Sequence, residues 1–204
     1  MKKIHYQTID STNEAAKRLI SGGEITETTV ITADTQTAGK GTQGRVWVSE
    51  AGTGVYLSMV HLGNQIGSQI TIPTTTDYTV AAAEACIEAL DKTVGLRPTL
   101  KPINDLYVDG RKLGGILVES LVQQGLIYAL VTGVGVNVKP VSLPLADERN
   151  TPVSLEEVLP PHQMERFFTD ALIEAMVQQI DVAYTRIFQN ATGTDACLET
   201  SVPE

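Results

Sequence analysis

Glycines and basic residues alternate within residues 39–45, Gly-Lys-Gly-Thr-Gln-Gly-Arg. Backbone N–H groups that glycine leaves accessible, together with Lys40 and Arg45, can converge on an anion such as a phosphate or a carboxylate. The segment lacks the Gly-Lys-Ser/Thr ending of a P-loop and the helix that follows a dinucleotide fingerprint. Taken alone, three glycines are more typical of a flexible surface loop, so the assignment depends on what accompanies them.

Another basic residue, Lys112, stands at the start of an apolar strand and is followed closely by two glycines. A lysine there can stabilise a carboxylate that attacks a phosphate, and the charge that develops on a leaving pyrophosphate. Asn104 and Asp105 lie on the other side of a predicted hairpin. The alternative is a hairpin with solvated polar turn residues. That alternative holds for Asp109-Gly110, which makes the turn, and the residues alone leave it open for Asn104, Asp105 and Lys112.

Two further segments carry polar groups. Residues 10–13, Asp-Ser-Thr-Asn, are typical of a helix start; capping requires one of these side chains and leaves the others free to bind a polar ligand. Gly133 and Gly135 within a strand indicate that a ligand or another backbone lies against them, although a β-bulge explains them nearly as well. The amide of Asn137 can read a base edge.

The elements that position these residues follow from apolar periodicity. Strands are predicted at residues 3–7, 28–33, 54–62, 106–108, 111–121 and 126–138. Helices are predicted from residue 10 to Gly22-Gly23, at residues 77–90, and finally over a face formed by Phe168, Leu172, Ala175, Met176, Ile180, Ala183, Tyr184 and Ile187. Residues 34–49 are predicted as a long loop and residues 140–161 as a proline-rich link. Strands joined mostly by hairpins predict an α+β domain with helices on one side of the sheet.

Composition narrows the classes of function. The 204 residues carry a net charge of −9, which argues against nucleic-acid binding, and no apolar run is long enough for a membrane span. The amino terminus has no apolar signal core. Cys86 and Cys197 suggest no disulfide framework, and His5, His61 and His162 have no metal-ligand spacing. A cytoplasmic location is the simplest interpretation.

In this order, four blocks resemble the biotin protein ligase family: residues 10–13, 36–47, 104–119 and 133–138. The similarity runs from about residue 3 to the final helix. It implies a mixed β-sheet flanked by helices, similar to the core of class II aminoacyl-tRNA synthetases. It also implies a catalytic domain at residues 1–190 and a loose tail at residues 191–204. Neither the amino-terminal helix-turn-helix nor the carboxy-terminal β-barrel of some family members is expected.

The resemblance implies an ATP-dependent ligase that forms biotinyl-5'-AMP and transfers biotin to a lysine of a biotin carboxyl carrier protein, such as that of acetyl-CoA carboxylase. ATP and biotin would be substrates, Mg²⁺ would assist, and a homodimer is one possible assembly. Two alternatives stay open. One is a weakened or inactive biotin-binding homologue. The other is a lipoate or octanoate ligase, whose usual Arg-x-x-Gly-Gly-Gly block is missing from this sequence.

By the same resemblance, biotin would be bound by Ser11, Thr12, Asn13, Gln36, Gly39, Gly115, Ile116 and Leu117. Lys112 would be the catalytic lysine, with Lys40 and Arg45 in the loop that covers the carboxylate and phosphate. The nucleotide would be bound by Lys101, Asn104, Asp105 and Asn137, with Asp105 also as a ligand of Mg²⁺.

The sequence departs from the family pattern in the glycine-basic loop. Thr42 replaces a usual arginine, and Gln43 replaces a residue that is often basic; Pro102-Ile103 stands where Trp-Pro is usual. Loss of a buried guanidinium contact to an anion costs roughly 1.5–3 kcal/mol. We therefore predict that the adenylate is held loosely and that biotinylation is weak or promiscuous.

Overall fold

The computed structural model describes residues 1–63, 75–124, 126–141, 151–165 and 167–192. Its strands are β1 (Lys2–Ile9), β2 (Thr29–Gln36), β3 (Gly54–Leu62), β4 (Thr99–Lys101), β5 (Asp105–Val108), β6 (Arg111–Gln123) and β7 (Leu126–Asn137). Its helices are α1 (Thr12–Ser21), α2 (Thr75–Val94), α3 (Leu155–Val158), α4 (Pro161–Met164) and α5 (Thr169–Thr192). Cys197 and the rest of residues 193–204 lie outside the described residues, so the predicted loose tail stays a prediction.

The strands form one mixed sheet in the order β1-β2-β3-β7-β6-β5-β4. Strands β1 and β2 are parallel and are connected through α1, whereas all other neighbours are antiparallel. The inner strand β3 is buried from Val55 to His61, which explains its near-continuous apolar sequence. The predicted mixed sheet flanked by helices is confirmed.

Both faces of the sheet carry helices. Helices α2 and α5 cover one face, where Tyr78, Leu130 and Tyr184 belong to the main core. The buried hydroxyl of Tyr184 lies 2.7 Å from Thr132 Oγ1 and donates to Tyr78 O at 3.2 Å, so the polar atom is satisfied inside that core. Helix α1 covers the opposite face, where Ala16 joins a smaller apolar cluster. The expectation that helices pack on one side was therefore wrong.

Three local expectations also differ from the structure. Phe168 precedes α5 and is 70% exposed, so it does not belong to the core face of that helix. The short edge strand β4 was not predicted. The segment predicted as a loop at residues 34–49 begins inside β2 and then folds back, with isolated bridges from Gln36 to Ser49 and from Lys40 to Val46. A single 3-10 turn, Thr42–Gly44, lies between those bridges.

Candidate functional site

A cavity of about 710 Å³ opens between the sheet, the start of α1 and the folded-back segment at residues 37–49, which we call the basic loop. Its lining includes nearly all of the predicted site residues: Ser11, Thr12, Asn13, Gln36, Lys40, Arg45, Asn104, Asp105, Lys112, Gly115, Ile116, Leu117 and Asn137. Among these lining residues, Asp105 carries the only carboxylate, against three cationic side chains. A chain of net charge −9 therefore holds a locally positive pocket.

One end of the cavity, the polar end, is lined by Thr12, Asn13 and Gln36, with the buried Ser58 behind them. Gln36 Oε1 accepts hydrogen bonds from the Thr12 backbone N–H at 2.8 Å and from the Thr12 hydroxyl at 3.1 Å. The single proton of the Ser58 hydroxyl is shared between Thr12 Oγ1, at 2.7 Å, and Asn13 Oδ1, at 2.5 Å. These groups come from α1, β2 and β3, and their mutual hydrogen bonds fix each side chain before any ligand arrives.

Asn13 continues the polar end into a row of charged groups. Its amide donates to Glu119 Oε2 at 2.8 Å, and Lys17 Nζ lies 2.9 Å from Glu119 Oε1. Lys17 also lies 2.6 Å from Glu14, one turn earlier on α1. Hydrogen bonds from Lys17 and Lys40 hold the pKa of Glu14 below its ordinary value. The carboxylate of Glu14 is therefore ionised beside the cavity over the neutral range.

Sequence reasoning missed Ser58, Glu14 and Lys17, which lie behind or beside the cavity lining and contact it through Thr12, Asn13 and Lys40. The signal for Ser58 was a lone hydroxyl in the middle of the buried strand β3, where a polar group needs a partner. Glu14 and Lys17 form an ordinary helix-surface pair with i,i+3 spacing. Nothing in their spacing indicates that Lys40, which is distant in sequence, completes the group.

The start of the motif, Asp10, has a different role from its neighbours. Its carboxylate binds the Arg18 guanidinium through two hydrogen bonds, at 2.6 and 2.8 Å, and accepts a third from the Ser11 backbone N–H. The hydrogen bond from Arg18 is the main reason that the pKa of Asp10 falls to about 2. Ser11 occupies the N-cap position of α1 without a capping hydrogen bond from its own side chain.

At the other end of the cavity, Lys112 Nζ lies 2.8 Å from Asp105 Oδ1 and 5.5 Å from the centre of the Trp47 ring. The register of β5 against β6 shifts between Leu106 and Tyr107, directly opposite Lys112. Such irregularities re-aim side chains at the edge of a site. The side chain of Lys112 is 18% exposed, so its charge acts in a partly desolvated position.

The indole of Trp47 lies across the floor of the cavity. A Cβ atom added to Gly135 would come within 2.6 Å of Trp47 Nε1, and one added to Gly115 would lie 3.4 Å from the ring. The glycines of β7 therefore accommodate side chains from other elements: Trp47 at Gly135 and Asn13 at Gly133. The register of β6 against β7 is unbroken there, so a bulge does not explain them. Trp47 Nε1 is buried and has no hydrogen-bond partner within the described parts of the chain.

The predicted nucleotide residues divide into two groups. Asn137 donates its amide to Val153 O at 3.1 Å and to Lys112 O at 3.4 Å, which leaves the side-chain oxygen for other contacts. Asn104 donates to Ile116 O at 3.1 Å and accepts a backbone hydrogen bond from Ile116 N. Lys101, however, lies on β4 with its Nζ 4.7 Å above the Tyr107 ring, outside the cavity lining.

Gly39 is the other predicted residue that does not line the cavity. It is buried within the basic loop, where an added Cβ would overlap Trp47 O and lie 2.9 Å from Ser49 Oγ. Its role in the structure is to let the loop close on itself. In the same loop, the Arg45 guanidinium donates to Thr42 Oγ1 at 2.8 Å and to Thr42 O at 3.2 Å, so it folds back on its own segment.

Two features are absent from the described residues: a membrane-spanning helix and a cluster of metal ligands. Across the described ranges, no helix combines the length and apolarity that a bilayer crossing requires. Within the same residues, no group of three or more His, Cys, Asp or Glu side chains is arranged to hold a metal ion.

The buried thiol of Cys86 is packed in the main core, where burial raises its pKa to about 12. It is therefore not a candidate nucleophile.

The chain is similar to known proteins in both sequence and fold. The sequence model of the biotin/lipoate A/B protein ligase family matches residues 5–137. The bifunctional ligase/repressor BirA of Bacillus spizizenii is 31% identical over 145 residues, which are 71% of this chain and 43% of BirA. The biotin–[acetyl-CoA-carboxylase] ligase of Paracoccus denitrificans is 33% identical over 132 residues, which are 63% of this chain and 51% of that ligase. The chain thus corresponds to about half or less of the length of these curated relatives.

Among solved structures, a biotin protein ligase from Aquifex aeolicus in complex with biotin and ATP superposes with a TM-score of 0.71 at 22% identity. The match covers 94% of this chain and 75% of that chain. At this identity the likeness shows the fold, which is the class II synthetase-like fold of biotin protein ligases.

Proposed function

The chain belongs to the biotin/lipoate A/B protein ligase family, and from that premise we propose that it activates biotin with ATP and transfers it to a lysine of a carrier protein. The observation that carries the proposal is one cavity lined by two chemically different sets of groups: uncharged hydrogen-bonding groups around Thr12 and Gln36, and the cationic side chains of Lys40, Arg45 and Lys112. Biotin has the same polarity, with a neutral ureido ring at one end and a carboxylate at the other.

The polar end suits the ureido ring. A neutral ring with one carbonyl and two N–H groups is held best by fixed, uncharged donors and acceptors, because charged partners would carry a larger desolvation cost. Thr12, Gln36 and Ser58 are fixed by each other, and Asn13 is fixed by Glu119. The aliphatic tail would follow Ile116 and Leu117 along β6 towards the cations.

The first half-reaction joins the biotin carboxylate to the α-phosphorus of ATP. A new bond forms between a carboxylate oxygen and the α-phosphorus, and the bond from that phosphorus to the pyrophosphate oxygen breaks. Lys112 would stabilise the negative charge that builds up on the phosphoryl oxygens, because its ammonium is already held in place by Asp105 at 2.8 Å. Lys40 and Arg45 would leave their present partners to bind carboxylate and phosphate oxygens.

Mg²⁺ fits this site only in company with the phosphates. Mg²⁺ is commonly held by one or two carboxylates plus substrate phosphates and water. Asp105 supplies one carboxylate, and Asn137 has its side-chain oxygen uncommitted by the hydrogen bonds described above. Asp105 and Asn137 would hold the ion, and the bound ion would neutralise part of the negative charge of the phosphates.

In the second half-reaction, the neutral amine of a carrier lysine attacks the acyl carbon of biotinyl-5'-AMP. An amide bond forms, the mixed anhydride breaks, AMP leaves, and the amine proton is lost to solvent. The chain's own task is to orient the anhydride and exclude water from it, through the apolar floor and the basic loop. We propose a biotin carboxyl carrier protein as the acceptor, such as that of acetyl-CoA carboxylase, which the name of the Paracoccus relative contains. A cytoplasmic location and the lack of nucleic-acid binding stay predictions.

The test measures pyrophosphate release from ATP and then transfer of labelled biotin to a carrier domain. We expect biotin-dependent release and transfer in the unaltered chain, and loss of both by about 100-fold or more in Lys112→Ala. Lys92→Ala is the matched control, since Lys92 lies on α2 and binds Gln179 away from the cavity. Tight biotin binding without pyrophosphate release in any of the three proteins would instead identify a biotin-binding homologue.

A further inference from the structure

The carboxylate of Glu14 is shared by two lysines. Its Oε1 atom lies 2.5 Å from Lys40 Nζ, in the basic loop, and 2.6 Å from Lys17 Nζ, on α1. The Lys40 side chain is half exposed, whereas those of Glu14 and Lys17 are about one quarter exposed. Lys40 is thus the outer member of the group, and it is also the member that lines the cavity.

The two lysines are bound to Glu14 in different ways. Lys17 is one turn away on the same helix, and Glu119 at 2.9 Å holds it from the other side. Lys40 reaches Glu14 from a loop and has no second carboxylate partner among the ion pairs of the described residues. If Lys40 moves away, Glu14 keeps Lys17 as its counter-ion. The departure of Lys40 therefore leaves no unpaired carboxylate, and its energetic cost is small.

We infer that Glu14 is a positioning residue that holds Lys40 against α1 until an anion enters the cavity, and so sets how readily the basic loop engages that anion. Two effects act in the same direction. Glu14 competes with the anion for one ammonium group, and its own negative charge repels an anion in the adjoining cavity. Only the identity of the anion, a carboxylate or a polyphosphate, rests on the proposed function.

The prediction is that neutralising Glu14 tightens anion binding. The experiment titrates the full chain with inorganic pyrophosphate and follows the fluorescence of Trp47, the only tryptophan, which lies in the basic loop. In Glu14→Gln we expect the apparent Kd for pyrophosphate to fall about twofold to fivefold at low salt, the range typical of an exposed ion pair. The gain should shrink at high salt, because the interacting charges are partly exposed.

The matched control is Glu88→Gln. Glu88 also belongs to a three-member charge group, in which Arg97 binds both Glu88 and Asp91, but that group lies on α2 and the loop after it. We expect no change in pyrophosphate affinity from this control. Glu14→Asp keeps the charge and should return the affinity towards that of the unaltered chain, which a purely structural role of Glu14 does not predict.

A second variant removes the ammonium that Glu14 holds. In a Lys40→Met background, Glu14→Gln should lose most of its effect on pyrophosphate affinity, since the competition no longer exists. Equal or weaker binding in Glu14→Gln alone, an unchanged effect in the Lys40→Met background, or no pyrophosphate response in the unaltered chain would each overturn the inference.

The same variants separate this inference from the proposed function. If the chain is a biotin ligase, Glu14→Gln should lower KM for ATP by a similar factor while kcat stays unchanged. If no biotin-dependent pyrophosphate release occurs, the proposed function fails, yet tighter pyrophosphate binding in Glu14→Gln would still support the positioning role. If release occurs and the affinity does not respond to Glu14→Gln, the function stands and the positioning role fails.

Discussion

At the polar end of the cavity, Thr12, Gln36 and Ser58 hold one another through hydrogen bonds that join three buried elements. In the basic loop, by contrast, Lys40 is held by a single exposed ion pair and Arg45 by Thr42 only three residues away. Interactions between distant buried groups resist displacement, whereas local and solvent-screened ones do not. The comparison teaches that one site combines a preorganised end, suited to recognition, with a loop whose cations are held only by local or exposed contacts that a ligand can displace.

The difference in rigidity between the polar end and the basic loop is tested most strongly by the same substitution at two glycines of β7. Gly133→Ala would push a methyl group into Asn13, which Ser58 and Glu119 hold from both sides. Gly135→Ala would push the same group into Trp47, which belongs to the basic loop. Biotin affinity should fall about 100-fold in Gly133→Ala, equivalent to roughly 2.7 kcal/mol, and much less in Gly135→Ala.

Isothermal titration with biotin measures both affinities, and thermal melting checks that each variant is folded. Equal losses from the two substitutions would mean that the polar end is no more rigid than the loop. A larger loss from Gly135→Ala would reverse the comparison.

Ser58→Ala tests the hydrogen bonding of the preorganised end without adding volume. The Ser58 hydroxyl is buried, and its single proton is shared between Thr12 and Asn13. Its removal leaves a buried acceptor unsatisfied at a cost of about 1–3 kcal/mol, so KM for biotin should rise about tenfold while KM for ATP changes little. Steady-state kinetics with each substrate varied gives the result. An equal rise in both KM values would show that the two ends are not separable.

Thr42→Arg tests the basic loop rather than the polar end. A guanidinium at position 42 would add a charge-assisted contact from that loop to the adenylate. We expect release of biotinyl-5'-AMP to slow by about tenfold, or roughly 1.4 kcal/mol, with KM for biotin unchanged. Release is followed by trapping the free adenylate, with Thr42→Gln as the uncharged control of similar length. Unchanged release would contradict the prediction that the adenylate is held loosely.

The smallest expected effect concerns acid stability at the start of α1. The folded-state pKa of Asp10 is about 2, below the ordinary value of 3.8, mainly because Arg18 binds the carboxylate. The contribution of this pair is therefore complete above the ordinary pKa and is lost as pH falls through about 2. Asp10→Asn should flatten the fall of Tm between about pH 4 and pH 2, with Asp170→Asn as a control on α5. A fall as steep as in the unaltered chain would contradict the assignment.

Local sequence signals were sufficient for much of the fold. The Asp109-Gly110 turn and the flanking apolar runs predicted the β5–β6 hairpin, and the strand at residues 54–62 matches β3. Periodicity failed where the outcome depends on the tertiary partner. It identifies an apolar face of α1 but not the side of the sheet that this face covers. Phe168 fits the apolar pattern of α5 but lies before the helix begins and is exposed.

For the site, too, local sequence patterns predicted which residues belong to it but not how those residues contact one another. The four blocks named residues that the fold does bring to one cavity, because the start of α1, the basic loop, β5, β6 and β7 lie together around it. The contacts between blocks could not be predicted: Trp47 against Gly135, Ser58 against Asn13, and Lys40 against Glu14. Each joins residues far apart in sequence, so no local pattern records it. Lys101 illustrates the converse, since it is close to Asp105 in sequence but lies on the edge strand and stacks on Tyr107.

The most direct test of the central claim is exchange of labelled pyrophosphate into ATP, because exchange requires reversible formation of the acyl-adenylate in the cavity. We predict exchange that depends on biotin, that lipoate and octanoate do not support, and that Gly133→Ala reduces about tenfold at a biotin concentration about ten times the Kd of the unaltered chain. Exchange supported equally by lipoate, or exchange that Gly133→Ala leaves intact, would contradict the account of a preorganised polar end that recognises biotin.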